Sequence, residues 1–303
     1  HKIITLPVDN YIVDIMSRVA NFYNIEVIGI QRFYQKNLVR LTLRGEYQKN
    51  RDVPENEITN FISEYHNSDD NAFAPKKKKV YFELCKYYLI YKIKLILHYF
   101  LRFKILSDKK YKYKSTKTQV YPKKIIKNII IYNKFLKKNF TFLDKLESKK
   151  TVYIPLHYYP EATVEYWVSD KKYSDYYTYL ITVIDTLTQN NFRVLLKEHP
   201  AIYLKRDMAN LIPILNNNDV YLFSPFINTK ELFKCSDSVI VWTGTTGVES
   251  IMSGIPTYFI EKNFYSEGLY MNWHDLLNDN SPIEQKPYLA VKNVLETTKF
   301  IKS

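Results

Sequence analysis

Two polar clusters in the second half of the chain have residue types that bind phosphate. Lys197-Glu198-His199-Pro200 follows the apolar run 192–196, and Thr-Gly-Thr-Thr-Gly-Val-Glu-Ser at 243–250 follows the apolar run 238–242. Both apolar runs are typical of short buried strands, so each cluster lies where a strand ends and a helix begins. Ligands of open α/β sheets bind at those carboxyl ends. A histidine and small hydroxyl residues there favour contact with a nucleotide phosphate.

His199 is the first candidate ligand residue. It stands directly before Pro200, which ends the strand because proline cannot donate a hydrogen bond to a sheet. An imidazole at this point can donate to a phosphate oxygen. A histidine on an ordinary turn is the structural alternative, and both interpretations stand on the sequence alone.

The more specific signal is a turn of glycine and threonine residues: Thr243, Gly244, Thr245, Thr246 and Gly247. Glycines let the backbone approach a ligand closely, and threonine hydroxyls at a helix start can donate to it. Thr246 and Glu249 also have the spacing of an ordinary capping box. A capping box does not account for the whole Gly-Thr-Thr-Gly run, so we predict that this turn contacts phosphate. The pattern is neither a Walker loop nor a G-x-G-x-x-G fingerprint.

Further loops after predicted strands supply the other candidate ligand contacts. Residues 155–163 contain Glu161, whose carboxylate can hold sugar or ribose hydroxyls, and residues 224–229 contain Ser224 and Asn228. A polar connecting loop and a helix cap are the plain alternatives. We therefore predict a ligand site that also includes Glu161, Pro200, Ser224, Asn228 and Glu249.

Carboxylates in the first half of the chain are candidates for acid–base chemistry. Asp9 follows the first predicted strand, and Glu46 follows a later one. Proton abstraction from an attacking hydroxyl requires a carboxylate in the opposite wall of a cleft. Glu46 and Asp9 are therefore the predicted catalytic base or nucleophile. No Ser-His-Asp spacing is present, and no Cys/His cluster indicates zinc. We expect phosphate binding to need no metal, because the helix dipole and the hydroxyls can hold the phosphate and no Asp-x-Asp pair is present.

Strand-like and helix-like runs alternate after residue 150, and this pattern positions the clusters above. Such alternation predicts βαβ units and a parallel sheet with helices on both faces. In the first half, residues 38–44 alternate apolar and basic side chains, as in a half-exposed strand or a hairpin arm. We predict a helix at 204–215. The predicted organisation is an N-terminal α/β domain over 1–150, a C-terminal nucleotide-binding domain over 151–290 and a tail over 291–303.

The net charge of +13 comes from one segment. Residues 86–140 contain sixteen Lys or Arg and one acid, a balance of +15, so the rest of the chain sums to −2. Within 81–140 we predict a long helix over 81–103, a polar loop over 109–117 and a second basic helix over 123–139. This segment fits a membrane surface, an acidic polymer such as nucleic acid, or a helix pair with solvated lysines. The chain has only two cysteines, shows no signal peptide and has no uncharged apolar run long enough to cross a membrane, which predicts a cytoplasmic protein.

The second half resembles the capsular polysaccharide biosynthesis family, whose members include Kdo-transferase-like glycosyltransferases. The resemblance covers about residues 150–266, and Tyr159 stands where the family usually has Gln. The first half matches only around 40–46. The matching segments, in order, are 160–163, 197–200, 224–225, 228–232, 236–237, 243–249, 254–256 and 264–265.

This resemblance implies a GT-B-like architecture, with two Rossmann-like domains whose parallel sheets face a cleft, here with a basic helical insertion. It assigns His199 and the turn 243–247 to the donor phosphate. It implies no cofactor, because a nucleotide-sugar, including a CMP-sugar, is the co-substrate.

The expected activity is that of a bacterial glycosyltransferase acting on a capsule or lipopolysaccharide acceptor. The acceptor would be a polysaccharide or a lipid-linked glycan, and Lys and Arg of 86–140 would contact the inner membrane; nucleic acid is the less favoured partner. One alternative is a CDP-polyol phosphotransferase of the teichoic-acid type. Another is a non-enzymatic protein that binds polyanions through the basic segment.

Overall fold

The computed structural model describes most of the chain outside the basic segment. The described residues are 1–33, 38–68, 122–137, 149–159, 162–167, 170–173, 175–203, 206–278 and 282–300, with Leu89 and Ile93 as single helical positions. The candidate Glu161 and most of the predicted basic insertion 81–140 lie outside them.

Three strands from the first half of the chain and one from its C-terminal end form a four-stranded mixed sheet in the order β1-β2-β3-β10. Its strands are β1 (Lys2–Thr5), β2 (Glu26–Arg32), β3 (Leu38–Leu41) and β10 (Thr298–Phe300). β1 and β2 are parallel and are joined by α1 (Tyr11–Phe22), whereas β3 is antiparallel to β2 and β10. The predicted parallel sheet in this half is therefore wrong. Residues 33–37 are too few for a parallel crossover, which needs about a dozen residues or more, so β2 and β3 form a hairpin.

Five strands from the second half of the chain and β4, which precedes residue 150, form a six-stranded sheet in the order β4-β7-β6-β5-β8-β9. All its neighbouring strands are parallel, which confirms the predicted parallel sheet. Chain order reverses around β5, which has β6 on one side and β8 on the other; this is a topological switch point, where such sheets bind ligands. The strands are β4 (Leu136–Lys137), β5 (Thr151–Pro155), β6 (Arg193–Lys197), β7 (Val220–Phe223), β8 (Ser238–Val241) and β9 (Thr257–Phe259).

Helices connect and cover the strands. After α1 they are α2 (Glu55–Asn67), α3 (Pro122–Phe135), α4 (Ala162–Glu165), α5 (Tyr176–Gln189), α6 (Ile212–Leu215), α7 (Thr229–Lys234), α8 (Thr246–Met252) and α9 (Pro287–Glu296). The predicted helix at 204–215 is wrong: a 3-10 turn, Met208–Leu211, precedes α6. Pro213 lies in the first turn of α6, where its missing N–H is tolerated, so a new helix begins there.

Both faces of the parallel sheet are buried, as expected when helices cover a sheet on two sides. Successive residues of β5 alternate between two hydrophobic clusters. Val152 and Ile154 pack with side chains of α5, such as Leu180, and Tyr153 packs with side chains of α7 and α8, such as Phe233 and Val248. This three-layer packing holds the carboxyl ends of the strands in a fixed array.

Two strands, β4 and β10, pair across the predicted domain boundary near residue 150. β4, which precedes that boundary, pairs with β7 of the parallel sheet. β10, in the segment predicted to be a tail, pairs with β3 of the N-terminal sheet. The boundary itself stays a prediction. Within the described residues, no helix combines the length and apolarity needed to cross a bilayer.

Candidate functional site

A cavity of about 470 Å³ lies between the two sheets, at the carboxyl ends of β2, β5 and β8. Both sheets contribute to its walls. Its lining on the side of the parallel sheet includes His157, Tyr158, His199, Trp242, Thr243, Gly244, Thr245 and Thr246, and on the opposite side Arg32, Phe33, Arg40, Gly45 and Trp167. The fold therefore brings His199 and the glycine–threonine turn to one space, although they are far apart in the sequence.

The start of α8 does not form the capping box that the sequence offered as an alternative. Thr245 is the N-cap residue of α8, and its side chain makes no capping hydrogen bond. Its carbonyl accepts the N–H groups of Val248 and Glu249. Among the described residues, the N–H groups of Gly244, Thr245 and Thr246 have no hydrogen-bond partner. The first N–H groups of any helix lack an intrahelical acceptor, so these donors are open to a ligand in the cavity but do not by themselves show one, and the predicted phosphate contact of the turn stays a prediction.

Tyr265 supports this turn from below. Its hydroxyl donates to the carbonyl oxygen of Gly244 at 2.8 Å. A Cβ atom added at Gly247 would lie 2.2 Å from that hydroxyl and 3.0 Å from Cγ2 of Val241. Gly247 is absent from the cavity lining, and the close approach of Tyr265 is the observed reason for a glycine there.

Gly247→Ala is therefore expected to destabilise the protein by about 1–3 kcal/mol, the usual cost of overpacking a core. Tyr265→Phe removes the hydroxyl that the new methyl group would meet, so the double variant should be more stable than the sum of the two single effects. Chemical denaturation of the four proteins measures this coupling. Strict additivity would contradict the proposed contact, and Gly244→Ala, where an added Cβ has no atom within 4 Å, is the matched control.

The cavity contains a second histidine, His157, which sequence reasoning did not single out. Nε2 of its imidazole ring lies 3.4 Å from Oγ1 of Thr243. Its main-chain N–H donates to the hydroxyl of Tyr176 at 2.9 Å. The ring of Tyr158 packs edge-on against His199 with 5.6 Å between centroids. His157 follows the carboxyl end of β5 in the same way that His199 follows that of β6. This equivalent position in the sequence could have identified His157 as a candidate.

Arg40 is a further cavity residue that the sequence did not reveal. Its guanidinium lies 3.8 Å above the Phe264 ring, and Nη2 donates to the carbonyl oxygens of Gly45 and Glu46 at 3.0 and 2.9 Å. Burial lowers the pKa of Arg40 to about 10, with Glu46 opposing the shift. Arg40 therefore remains a cation at neutral pH and places a buried positive charge at the cavity wall.

The predicted catalytic carboxylates do not line the cavity. Glu46 accepts hydrogen bonds from the N–H groups of Leu43 and Arg44, both at 2.6 Å. Burial raises the pKa of Glu46, but these hydrogen bonds outweigh it and hold the pKa below its usual value. Asp9 is exposed and accepts from Asn10 at 2.5 Å. Their catalytic role stays a prediction; the observed role of Glu46 is to close the turn that contains Gly45.

Several predicted ligand residues have local contacts and do not line the cavity. Oγ of Ser224 accepts the N–H of Phe226 at 3.3 Å, and Asn228 caps α7 by accepting the N–H of Lys230 at 2.9 Å. Pro200 begins a 3-10 turn. Their ligand contacts likewise stay predictions.

Glu249 lies beneath the turn and interacts electrostatically with buried Lys197 of β6. Nζ of Lys197 donates to Oγ1 of Thr229 at 2.7 Å. Burial raises the pKa of Glu249 to about 7, opposed by Lys197 and Lys230. Burial also lowers the pKa of Lys197 to about 8, opposed by Glu249. Lys197 on β6 and Glu249 on α8 therefore attract each other without a direct hydrogen bond, between the two elements that carry His199 and the turn.

Metal-binding clusters of His, Cys, Asp and Glu are not found in the part of the chain that the structure describes. The expected absence of a metal stays a prediction. In the described cavity, positive charge comes from protein side chains such as Arg40.

The fold and the cavity define an α/β protein with a candidate ligand site at the carboxyl ends of a parallel sheet. No protein-family model and no curated protein sequence matches the chain.

Solved structures that are similar include two from Thermosulfurimonas dismutans KpsC. The beta Kdo 2,4 transferase has 10% identity and a TM-score of 0.41, covering 91% of this chain and 74% of its own. The beta Kdo 2,7 transferase has 11% identity and a TM-score of 0.43, covering 99% and 78%. A variant of the wall teichoic acid polymerase TagF has 19% identity and a TM-score of 0.26, covering 57% and 38%. At these identities and TM-scores the likeness assigns neither a family nor an activity.

Proposed function

We propose that the cavity binds the phosphate of a nucleotide-activated sugar and that the protein is a glycosyltransferase. The observation that carries the proposal is the meeting of His199 with the donors of residues 243–246 at the switch point of the parallel sheet. Such positions bind nucleotides in open α/β sheets. The proposal needs no cofactor, because the nucleotide-sugar is a co-substrate.

Unpaired donors in the cavity wall support an acceptor-rich ligand. Nε of Arg40 and Nε1 of Trp242 are buried and have no hydrogen-bond partner among the described residues. Arg40 and Trp242 both line the cavity and are almost fully buried, with 2% and 5% of their surface exposed. Buried donors without acceptors are costly, and phosphate oxygens would satisfy such groups.

The proposed chemistry is displacement at the anomeric carbon. The acceptor hydroxyl oxygen forms a bond to that carbon, and the bond to the phosphate oxygen breaks with its electron pair leaving on the nucleotide. His199, the hydroxyls of Thr245 and Thr246 and the guanidinium of Arg40 would stabilise the negative charge on the departing phosphate. The hydroxyl proton would pass to a carboxylate. Of the two carboxylates predicted from the sequence, Glu46 follows the cavity residue Gly45, although its own oxygens accept from the N–H groups of Leu43 and Arg44.

The proposed acceptor is a bacterial surface polysaccharide or its lipid-linked precursor. Lys and Arg of residues 86–140 would contact the anionic inner-membrane surface from the cytoplasmic side. The local charge balance of +15 supports this contact, since each basic residue near an anionic membrane contributes about 1 kcal/mol.

Nucleotide binding tests the proposal. We expect one of CMP, CDP, UDP or GDP, or its sugar, to raise the melting temperature of the wild-type protein. His199→Ala should weaken that binding at least about tenfold, because a hydrogen bond to a charged group is lost. His66→Ala, at an exposed histidine of α2 outside the cavity lining, is the matched control and should bind like wild type.

The other outcomes discriminate between the alternatives. If the protein turns over a CDP-polyol but no nucleotide-sugar, its activity is that of a polyol-phosphate transferase that uses the same phosphate site. Absence of any nucleotide shift would contradict the transferase. Polyanion binding that falls steeply with salt and is unchanged in His199→Ala would then indicate a non-enzymatic role of the basic segment.

A further inference from the structure

A buried ion pair lies directly behind the cavity. Arg206 and Glu198 have fully buried side chains, and Nε of Arg206 lies 2.8 Å from Oε2 and 3.0 Å from Oε1 of Glu198. Nη2 of Arg206 donates to the same carboxylate at 2.9 Å. Burial alone would lower the pKa of Arg206, but the attraction of Glu198 outweighs it and raises that pKa. Arg206 therefore keeps its positive charge in this buried position.

This ion pair fixes the main chain at both cavity histidines. Oε1 of Glu198 accepts the N–H of His199 at 2.6 Å. Nη2 of Arg206 donates to the carbonyl oxygen of His157. One pair of side chains therefore sets the separation of the loops that follow β5 and β6.

Two residues of α3 complete the network. The Tyr132 hydroxyl donates to Oε2 of Glu198 at 2.5 Å, and Nδ2 of Asn128 donates to the main-chain oxygen of Arg206 at 2.6 Å. Tyr132 and Asn128 are each 1% exposed and lie four residues apart, on one face of the helix. Lys127, Ile130 and Lys134 of α3 are exposed.

We infer that Tyr132 and Asn128 are positioning residues for the nucleotide site, so that α3, from the basic segment, sets the placement of His157 and His199. A buried polar network is most rigid when every member is satisfied, so removing one donor to Glu198 loosens the carboxylate. Loss of the Tyr132 hydroxyl leaves Glu198 free to shift and moves the main chain of His199 with it. The nucleotide part of this inference rests on the proposed function; the control of the histidines does not.

Tyr132→Phe tests the inference, with Tyr65→Phe as matched control. The Tyr65 hydroxyl is also buried and bonded to one side chain, Ser253, at 2.9 Å, and it contacts neither histidine. We expect Tyr132→Phe to shift the imidazole ¹H–¹⁵N resonances of His157 and His199 and to leave those of His66 and His274 in place. Nucleotide affinity should fall about tenfold, the scale seen when an orienting partner is removed from a binding side chain.

The inference is overturned if Tyr132→Phe and Tyr65→Phe lose similar stability while the resonances of His157 and His199 stay unchanged. If Tyr132→Phe fails to fold, Asn128→Ala is measured in the same way, and unchanged resonances of His157 and His199 in that variant would overturn the inference. If wild type binds no nucleotide, the proposed function fails, and the histidine resonances still decide whether α3 positions the two rings.

Discussion

Glu198→Gln is expected to lower the free energy of unfolding by about 3–5 kcal/mol, because it leaves Arg206 as a buried charge without its counter-ion. The substitution keeps the shape of the side chain, so the loss arises from charge and hydrogen bonding. Glu198 accepts hydrogen bonds from Arg206, Tyr132 and His199 at its two oxygens. A glutamine amide has only one acceptor oxygen and cannot accept all of these hydrogen bonds. Urea denaturation measures the effect.

Replacing both partners of the pair distinguishes the effect of charge on stability from the effect of packing. Glu198→Leu combined with Arg206→Met should recover much of the stability, since apolar residues of similar volume often replace a buried ion pair without loss. The same double variant should still lose nucleotide binding, because the anchors of the His157 and His199 main chain are gone. A double variant that binds normally would show that the pair does not position the site.

Glu231→Gln is the matched surface control. Glu231 pairs with Lys234 at 2.9 Å, but both side chains are largely exposed. Such pairs contribute little to stability, so this variant should unfold like wild type. Equal effects of Glu198→Gln and Glu231→Gln would contradict the importance of burial at Glu198.

The part of the site that the sequence predicts consists of local signals. His199 and the turn 243–246 follow short apolar runs, and parallel strands bring their carboxyl ends together without further information. The strands β5 to β9 were predictable for the same reason, because each is short, apolar and separated from the next by a helix-like run. These features depend on near neighbours in the chain. β4 was not predictable, because its two residues lie inside the basic stretch predicted as one helix over 123–139.

Features that depend on distant partners were not predictable. Arg40 has the appearance of a solvated strand residue, and only the packing of Phe264 above it reveals a buried cation. Glu198 and Arg206 likewise have the appearance of loop charges in the sequence, although both are fully buried. The place of Glu46 after a strand predicts a catalytic base, but its carboxylate accepts from the N–H groups of Leu43 and Arg44. The direction of a side chain is set by the turn that carries it.

The buried pair Glu249 and Lys197 is expected to give the protein a stability minimum between about pH 7 and pH 8. The pKa of Glu249 is raised to about 7, so burial favours its protonated form. Its contribution is complete below the pKa of the unfolded chain, near 4.5, and is lost as the pH rises through 7. The total loss on this limb is about 3 kcal/mol at roughly 1.4 kcal/mol per pH unit.

Lys197 produces the opposite limb of the same curve. Its pKa is lowered to about 8, so burial favours the neutral amine. Its contribution is complete above its ordinary pKa of 10.5 and is lost as the pH falls through 8. Between the two folded pKa values both groups are charged, and the fold bears the full desolvation cost of each, offset only by their mutual attraction and by Lys230.

Substitution of either residue should remove that residue's limb of the curve of stability against pH and shift the other limb along the pH axis. Glu249→Gln should flatten the acid limb, so that the difference from wild type changes by roughly 2 kcal/mol between pH 5 and pH 7. It should also extend the basic limb to lower pH, because Lys197 loses the carboxylate that supports its charge. Lys197→Met should do the reverse and raise the pKa of Glu249 further. Urea denaturation from pH 5 to pH 10 measures both limbs; parallel curves for wild type and both variants would show that this pair does not titrate in the folded protein.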